Sequence, residues 1–284
     1  MNKFGHVCFV GRPNVGKSTL TNRLLNLPLA IESAKPQTTW YAVAGLVKTK
    51  KAQFVLTDTP GIHQFIHRAQ NQTMNRIAYS AISQADVICH LVTPRWNQED
   101  EHILQFLQGI QKPKILIINK IDQTTPHELL PYIAGLKDKP YGHIVPLSAK
   151  TGLNVDLLTE NIVSHLQKRE YIGKQNIHNH SEAFLAQEML REQLMVQLQS
   201  EMPYTTFIEV FHTKQHEKAL EINVNLHVKH IGQKKIIIGK DGEQIKKIGQ
   251  FARKRLQVIL KKRIILKAWV KISPEKTGHI YLEQ

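Results

Sequence analysis

Cysteine is scarce in this chain. Among its 284 residues only Cys8 and Cys89 are cysteines, and both lie in apolar runs that predict buried strands. Neither belongs to a Cys-x-x-Cys pair or stands at a His–Cys spacing typical of zinc sites. The composition therefore argues against a zinc site and favours a protein of a reducing cytoplasm.

Long apolar runs are absent as well. No run approaches the 18 residues that a membrane-spanning helix needs, and the opening "MNKFGHVCFVG" is too short and too soon interrupted for a signal peptide. Fifteen histidines are scattered singly, and "HNH" at 178–180 falls in a polar stretch. We expect a soluble protein whose histidines lie on the surface and bind no metal.

Acidic residues are too few to balance the basic ones, and the formal net charge is +15. The surplus is concentrated at 229–276, where fifteen lysines and arginines meet three acidic residues. A basic block of this kind favours a polyanionic partner. Charge alone leaves a solubilising surface open as the alternative.

Short apolar runs alternate with helical patterns over the first 165 or so residues. Several runs are apolar throughout, which is typical of parallel strands covered on both faces. The pattern predicts a doubly wound α/β domain with a mostly parallel sheet. The predicted strands are 6–11, 41–48, 52–59, 86–93, 114–120 and 143–149.

The pattern changes after residue 168. Residues 169–181 have no periodicity and predict a linker, so the expected domains are 1–168 and 182–284. Ser181 is a predicted N-cap for a long amphipathic helix that Pro203 would end. Strands are predicted at 205–213, 219–230 and 264–272, with a helix at 243–260. Because 219–230 alternates strictly, one of its faces should be solvated.

A phosphate loop, "GRPNVGKST", stands between a predicted strand and a predicted helix. It matches the GxxxxGK[ST] pattern, whose glycines and backbone N–H groups wrap phosphate. Lys17 should reach the β- and γ-phosphates, and Ser18 should bind Mg²⁺. The predicted nucleotide-binding residues of this loop are Gly11, Asn14, Val15, Gly16, Lys17, Ser18 and Thr19.

Three later motifs predict that the nucleotide is GTP or GDP. In "DTPG", Asp58 is expected to hold Mg²⁺ and Gly61 to meet the γ-phosphate through its N–H. In "NKID", Asp122 can accept two hydrogen bonds from guanine that adenine lacks the donors to make. Asn119 and Lys120 would fasten this loop and flank the base. In "SAK", formed by Ser148, Ala149 and Lys150, the Ala149 N–H would meet guanine O6.

These motifs together resemble the translation-factor-related GTPases. The resemblance places switch I in 35–40, where Thr39, or else Thr38, would bind Mg²⁺. With Lys17 and Gly61, Thr39 completes the predicted catalytic set. Ile62 follows "DTPG" where many signalling GTPases have the glutamine that orients water. Relatives with asparagine at the Asn14 position often use K⁺, so Asn14 either helps to bind K⁺ or merely stabilises the loop.

A second motif lies in "KKIIIGKDGEQIKKIG" at 234–249. We predict an apolar strand, then Gly239, Lys240, Asp241 and Gly242, then a basic helix. This pattern resembles the GxxG loop of a KH domain, which clamps about four single-stranded nucleotides. Glycine permits close approach of the RNA backbone, and lysine supplies charge. Most bare GxxG matches are simple turns, but the basic surroundings favour RNA binding; the predicted RNA-binding residues are Gly239, Lys240, Asp241, Gly242, Lys246 and Lys247.

A GTPase domain followed by an α+β type II KH domain, in the order α-β-β-α-α-β, resembles the Era family of bacterial GTPases. "PQTT", "DTPGIH", "NKID", "EMPY" and "WVKI" also fit its pattern. The resemblance implies binding of the 3′ end of 16S ribosomal RNA, a role in assembly of the 30S subunit, and a cytoplasmic, monomeric protein with peripheral membrane association. Trp40 replaces an arginine common in the family, and the carboxyl end lacks the acidic and apolar tail expected there.

The sequence leaves two other functions open. One is an RNA-binding module whose GTP site is regulatory and barely hydrolytic. The other is a GTPase acting on a protein or membrane partner, with the basic block facing lipid phosphates. The GxxG loop argues against lipid, because lipid binding needs charge but no glycine clamp.

Overall fold

The computed structural model describes residues 3–33, 35, 39–62, 69–169, 177–178, 180–199 and 202–277, without the side chains of 69–71. The chain divides into two compact units, Met1–Asn179 and His180–Gln284. No helix in these described ranges is long and apolar enough to cross a membrane.

The first unit is a doubly wound α/β domain, as the apolar runs predict. Its sheet has the order β2-β3-β1-β4-β5-β6, with β2 antiparallel at one edge and β7 pairing with the start of β1. The strands are β1 Lys3–Val10, β2 Val43–Lys48, β3 Ala52–Asp58, β4 Val87–Val92, β5 Lys114–Ile118, β6 His143–Pro146 and β7 Gln167–Lys168. The helices are α1 Lys17–Leu25, α2 Ala69–Gln84, α3 Gln98–Gln108, α4 Pro126–Ala134 and α5 Val155–His165.

Local sequence explains where several of these elements begin. Asn97 and Asp100 form a reciprocal capping box at the start of α3. Thr125 and Glu128 do the same at α4, where proline occupies the first helical position. Every residue of β4 is buried, as expected for a central strand covered on both faces. Because β1, β3, β5 and β6 run parallel, the loops that follow them all lie at the carboxyl end of the sheet.

The second unit is a three-stranded sheet covered by helices. Its elements are α6 Glu182–Gln197, α7 Met202–Thr205, β8 Phe207–Gln215, β9 Ala219–Val228, α8 Ile231–Ile238, α9 Glu243–Leu260 and β10 Arg263–Ile272. β9 is the central strand, antiparallel to β8 and parallel to β10. With α7 as a minor addition, the order is the predicted α-β-β-α-α-β.

Three sequence predictions for this unit are wrong: the type of one element, the end of one helix and the solvent exposure of one strand. The run before Gly239 is helix α8 rather than a strand, because Gln233 and Ile237 are buried at helical spacing while Lys235 and Ile236 are exposed. The helix capped by Ser181 ends at Gln197, and Pro203 lies in α7.

The polar face of β9, which the alternating sequence predicts to be solvated, is also less exposed than expected, since Asn225 and His227 are buried. Side chains from β8 and β10 flank them on the same face of the sheet.

The prediction that the histidines lie on the surface fails at two positions. His90 in β4 is fully buried, and His227 is 2% exposed. His90 lies in a strand whose neighbours are apolar throughout, so the signal for its burial was present in the sequence. No group of three His, Cys, Asp or Glu among the described residues is arranged to hold a metal, and both cysteines are buried.

Candidate nucleotide and RNA sites

The phosphate loop connects β1 to α1 at the carboxyl edge of the sheet. Asn14 and Gly16 have left-handed backbones, with φ of 61° and 97°. A side chain at Gly16 would collide with the Asn119 amide, which explains the need for glycine. α1 begins at Lys17 without a side-chain cap, so its first N–H groups stay available to an anion. They border a cavity of about 230 Å³ whose lining includes Asn14, Gly16, Lys17, Ser18, Thr39 and Gly61.

Lys17 is buried, and its ammonium group donates to the carbonyls of Gly11 and Arg12, each at 2.9 Å. Burial, opposed by the nearby carboxylate of Asp58, lowers the pKa of Lys17 to about 8. The lysine is therefore held within the loop by backbone oxygens, and a phosphate would offer it a stronger, charged acceptor.

Three oxygen-bearing side chains meet beside this lysine. Ser18 Oγ donates to Asp58 Oδ2 at 2.7 Å and lies 3.2 Å from Thr39 Oγ1. Asp58 is fully buried, and its Oδ1 has no hydrogen-bond partner in the described part of the chain. Burial raises the pKa of Asp58 to about 6. A buried carboxylate oxygen without a partner, next to two hydroxyl groups, fits a hard cation such as Mg²⁺.

The predicted guanine-binding loops are fastened to the phosphate loop. Asn119 Nδ2 donates to the Val15 carbonyl at 2.8 Å, and Lys120 Nζ to the Asn14 carbonyl at 2.7 Å. Lys120 adopts a left-handed backbone that turns the chain after β5. The loops after β1 and β5 therefore form one connected wall.

Asp122 is exposed, and one of its oxygens accepts from Ser148 Oγ at 2.6 Å. That bond orients the carboxylate and leaves its other oxygen available. The Ala149 N–H, predicted to meet guanine O6, donates to Asn119 Oδ1 at 2.9 Å. The structure therefore links the two predicted base-binding loops to each other and to the phosphate loop, and guanine would share or replace the Asn119 bond.

Two arginines that the motifs did not single out support this site. Arg12 binds both carboxylate oxygens of the buried Asp100, at 3.2 and 3.1 Å, and Thr93 Oγ1 at 2.7 Å. Arg23 on α1 donates to the carbonyls of Ala149 and Lys150. Their only sequence signal was a charged residue within or just after the phosphate-binding motif.

Ile62 is buried in the core with Cys8, Val10 and Ile82. It packs between the sheet and helices α2 and α3, so its side chain stabilises the fold. Thr39 and Trp40 are also buried, whereas Thr38, the alternative metal ligand, lies outside the described residues.

In the second unit, the GxxG loop is a sharp turn between α8 and α9. Gly239, Asp241 and Gly242 have positive φ values of 72°, 50° and 77°. A side chain at Gly239 would collide with Gln244, whereas Gly242 has open space around it. Gly242 is the N-cap of α9 and has no side chain to cap the helix. The first N–H groups of this 18-residue helix are therefore uncapped next to the loop.

The basic residues beside this loop are not equivalent. Lys240, Lys246 and Lys247 are exposed. Arg255, further along α9, is bound to the buried Glu192 at 2.6 Å. The first three can meet a phosphate backbone without breaking an ion pair in the described structure, whereas Arg255 serves the packing of α9 on α6.

Two family models match the chain. One describes a 50S ribosome-binding GTPase and matches residues 6–120, and the other describes a KH domain and matches residues 201–276. GTPase Era of Pseudomonas aeruginosa is 40% identical over 276 residues, which cover 96% of this chain and 90% of the relative.

Two solved structures are similar along nearly the whole chain. One is a tyrosine-to-alanine variant of Aquifex aeolicus Era bound to GDP·AlF₄⁻; the TM-score is 0.90 at 35% identity, covering 96% of this chain and 95% of that one. The other is Era in complex with MgGDPNP and nucleotides 1506–1542 of 16S ribosomal RNA. It also has a TM-score of 0.90 at 35% identity and covers 97% and 95% of the two chains.

Proposed function

This chain belongs to the Era family of GTPases and hydrolyses GTP, and from that premise we propose that it acts as a nucleotide-controlled switch on the 3′ end of 16S ribosomal RNA during assembly of the 30S subunit. The observation that carries the proposal is the pairing, in one chain, of a connected guanine-nucleotide site with a glycine turn that opens a basic helix. A relative bound to that RNA supports the choice of partner.

In this proposal the phosphate loop and the first turn of α1 bind the phosphates, and Lys17 exchanges its two carbonyl acceptors for phosphate oxygens. Ser18, Thr39 and Asp58 hold Mg²⁺, which supplies charge neutralisation on the phosphates when bound. Asp122 reads the guanine edge, with Asn119, Lys120 and the 148–150 loop fixing its position. Lys17, Thr39 and the Gly61 N–H stabilise the charge that develops on the γ-phosphate.

Potassium is proposed as an additional ion near Asn14. Ile62 is buried in the core and does not orient water, so the intrinsic rate should be low unless another positive charge is supplied. Asn14 lines the phosphate cavity and its left-handed backbone aims its carbonyl at Lys120. Turnover should be faster in KCl than in NaCl at equal ionic strength. Equal rates, or an Asn14→Ala variant that keeps the potassium response, would reject this role.

The RNA proposal is tested by binding, separately from hydrolysis. We would measure the affinity of the full chain for an RNA of nucleotides 1506–1542 and for a scrambled RNA of equal composition, with GDP and with a non-hydrolysable GTP analogue. We expect a preference for the true sequence of at least about tenfold, which grows with the GTP analogue. Equal affinity for both RNAs in both nucleotide states would overturn the proposal.

A role in subunit assembly has its own test. Turnover of GTP should rise when immature 30S particles are added, and depletion of the protein should leave 16S RNA with an unprocessed 3′ end. A chain that binds the RNA but shows the same turnover with and without particles would instead support an RNA-binding module with a regulatory nucleotide site.

A further inference from the structure

The second unit has a sheet face that its helices leave open. Along β9 the side chains of Leu220, Ile222 and Val224 face the helices and are buried. The intervening positions of all three strands point to the opposite face. We call five of the aromatic and basic residues on that face the open-sheet patch: Phe211, Lys214, Lys267, Trp269 and Lys271.

Two aromatic rings lie next to each other in this patch. Phe211 is 50% exposed and Trp269 is 45% exposed, and their ring centroids are 5.7 Å apart. They come from the two outer strands, β8 and β10, and meet above the central strand. Trp269 is paired in register with Asn225, whose short side chain leaves room for the rings. Exposed aromatic residues that lie together, unlike single exposed ones, are a mark of interaction sites.

A β-bulge places one of the two rings. The register between β8 and β9 shifts between Val210 and His212, so Phe211 is the extra residue. A bulge re-aims a side chain at a local cost in strand pairing, and such bulges are frequent beside binding sites. Here Phe211 and His212 both stand opposite Asn223, and Phe211 lies next to Trp269.

The charge around the rings is positive. Lys271 Nζ lies 5.8 Å from the centre of the Phe211 ring, and Lys214 is exposed on the same face. The acidic residues of this face are already paired: Lys267 binds Glu221 and Lys276 binds Glu209, both at 2.7 Å. Among the described residues Lys214 and Lys271 have no ion-pair partner of their own. The face therefore presents two rings beside two uncompensated ammonium groups.

We propose that the open-sheet patch is a second RNA contact, on which unpaired bases stack against Phe211 and Trp269 while Lys214 and Lys271 bind the adjoining phosphates. Aromatic residues on an open sheet with flanking basic residues are a recurrent way to hold single-stranded RNA, because every base has a π-face. The inference extends the proposed function, since it rests on RNA being the partner but assigns a surface separate from the GxxG loop.

A second copy of the chain fits this face less well. In a twofold pairing the same patch would face itself, so the lysines of one copy would approach those of the other. A polyanion is complementary to the patch, whereas a like-charged copy is not.

The test isolates the patch from the GxxG loop by using the full chain with Gly242→Asp as background. The probe is a labelled 12-nucleotide oligo(A) in low salt. Trp269→Ala and Phe211→Ala should each weaken binding by about tenfold, because stacking on one ring is lost. Lys271→Glu should weaken it as much or more, and this exposed change leaves the core untouched. Phe106→Ala, at an exposed ring of the first unit, is the matched control and should bind normally.

Tryptophan fluorescence gives a second, independent reading. Oligo(A) should quench part of the emission of the Gly242→Asp protein, and Trp269→Phe should abolish that quenching although Trp40 and Trp96 remain. Unchanged affinity in all three patch variants, or quenching that survives Trp269→Phe, would overturn the inference. So would a protein that is dimeric by light scattering and becomes monomeric on Trp269→Ala.

The two RNA proposals fail in different ways. Loss of sequence preference for nucleotides 1506–1542 in the wild-type chain contradicts the proposed function, whereas quenching at Trp269 by oligo(A) would still support the patch. Preference for the 3′ end with no effect of the patch variants contradicts only the inference made here.

Discussion

Lys17 and Asp58 are buried charges of opposite sign whose pKa values burial shifts towards their neutral forms. Each is therefore held at a cost that their mutual attraction only partly offsets. A nucleotide carrying Mg²⁺ brings a negative charge to the lysine and a positive charge to the carboxylate. The charges of the bound ligand therefore offset the cost of burying Lys17 and Asp58, a cost that an exposed pair does not have. The free energy of unfolding of the bound protein should be markedly higher than that of the free protein.

Guanine selectivity is expected to depend on Asp122. Asp122→Asn replaces an acceptor of two hydrogen bonds with an amide that can donate, so GTP affinity should fall by about a hundredfold. Xanthine nucleotide should bind the variant better, because its C2 oxo group can accept from the new amide. A binding titration with GDP and XDP checks both changes. Ser148→Ala removes the bond that orients Asp122. It should weaken GDP binding without shifting the preference towards XDP.

His90 is expected to make the first unit less stable in mild acid. Burial, followed by the charges of Lys17, Arg12 and Lys139, lowers the pKa of His90 to about 3. The unfolded state, with a pKa near 6.5, binds a proton below that pH, and the folded state does not. The contribution of His90 to the free energy of unfolding therefore falls as the pH drops from about 6.5 towards 3, by about 2 kcal/mol between pH 7 and pH 5. Asp58, whose pKa burial raises to about 6, acts in the opposite direction over the same range, so the His90 contribution must be read against a matched variant.

Urea unfolding of nucleotide-free protein at pH 7 and pH 5 tests this effect. His90→Asn keeps an amide near the Tyr141 hydroxyl, which lies 2.6 Å from His90 Nδ1, but does not titrate. Between pH 7 and pH 5 the free energy of unfolding of this variant should change more favourably than that of the wild-type chain, by about 2 kcal/mol. If the free energy of unfolding changes equally in both proteins between the two pH values, His90 does not titrate as argued.

At the scale of elements, the two central helices of the second unit are joined by buried charges as well as apolar contacts. α6 is buried on most sides, and its Glu188 and Arg191 form an ion pair at 2.6 Å with both side chains about 5% exposed or less. Its Glu192 is bound by Arg255 of α9. The Glu192–Arg255 pair restricts how α9 can rotate on α6, and α9 carries Lys246 and Lys247 shortly after the GxxG loop.

Arg255 and Lys247, both on α9, should therefore respond differently to alanine. Arg255→Ala removes the ion pair to the buried Glu192 and should lower the free energy of unfolding by about 2–3 kcal/mol. Its effect on the salt dependence of RNA binding should be small. Lys247→Ala should change stability by less than about 0.5 kcal/mol and reduce the slope of log affinity against log salt by about 1. The reverse pattern would show that Arg255 binds RNA.

Sequence patterns predicted strands β1 to β6 of the first unit with boundaries within three residues, because each is an apolar run and four of them lead into a nucleotide-binding motif. They did not predict β7. They failed where tertiary packing decided the outcome. The run of three isoleucines before Gly239 favours a strand by propensity, yet Ile237 is buried and Ile236 exposed in a helix. Arg12 and Arg23 could not be predicted because their partners, Asp100 and the 149–150 carbonyls, are remote in sequence.

At the scale of the whole molecule, charge and nucleotide chemistry are segregated along the chain. The basic surplus lies at 229–276, in the second unit, whereas every predicted nucleotide-binding residue lies before residue 151. A change confined to one unit should therefore leave the chemistry of the other largely intact when each activity is measured alone. Coupling between them should be visible only when RNA and nucleotide are present together.

Gly242 offers the sharpest test of that division. Its φ of 77° is tolerated by aspartate and asparagine better than by most residues, and nothing lies within 4 Å of an added Cβ, so both variants should fold. Gly242→Asp places a carboxylate where the RNA backbone approaches and should abolish preference for nucleotides 1506–1542. Gly242→Asn has the same size without the charge and should retain part of that preference, which separates repulsion from steric obstruction.

Both Gly242 variants should hydrolyse GTP at nearly the wild-type rate in the absence of RNA. Lys17→Ala should do the opposite, losing turnover while it keeps the preference for the true RNA sequence. Gly242→Asp should keep only weak RNA binding that falls steeply with salt, because phosphate contacts by Lys246 and Lys247 do not read sequence. The measurements are a salt series of binding to the true and the scrambled RNA, together with a turnover assay. If Gly242→Asp still prefers the true sequence, the turn at 239–242 is structural only, and recognition of the 3′ end belongs to another surface of the chain.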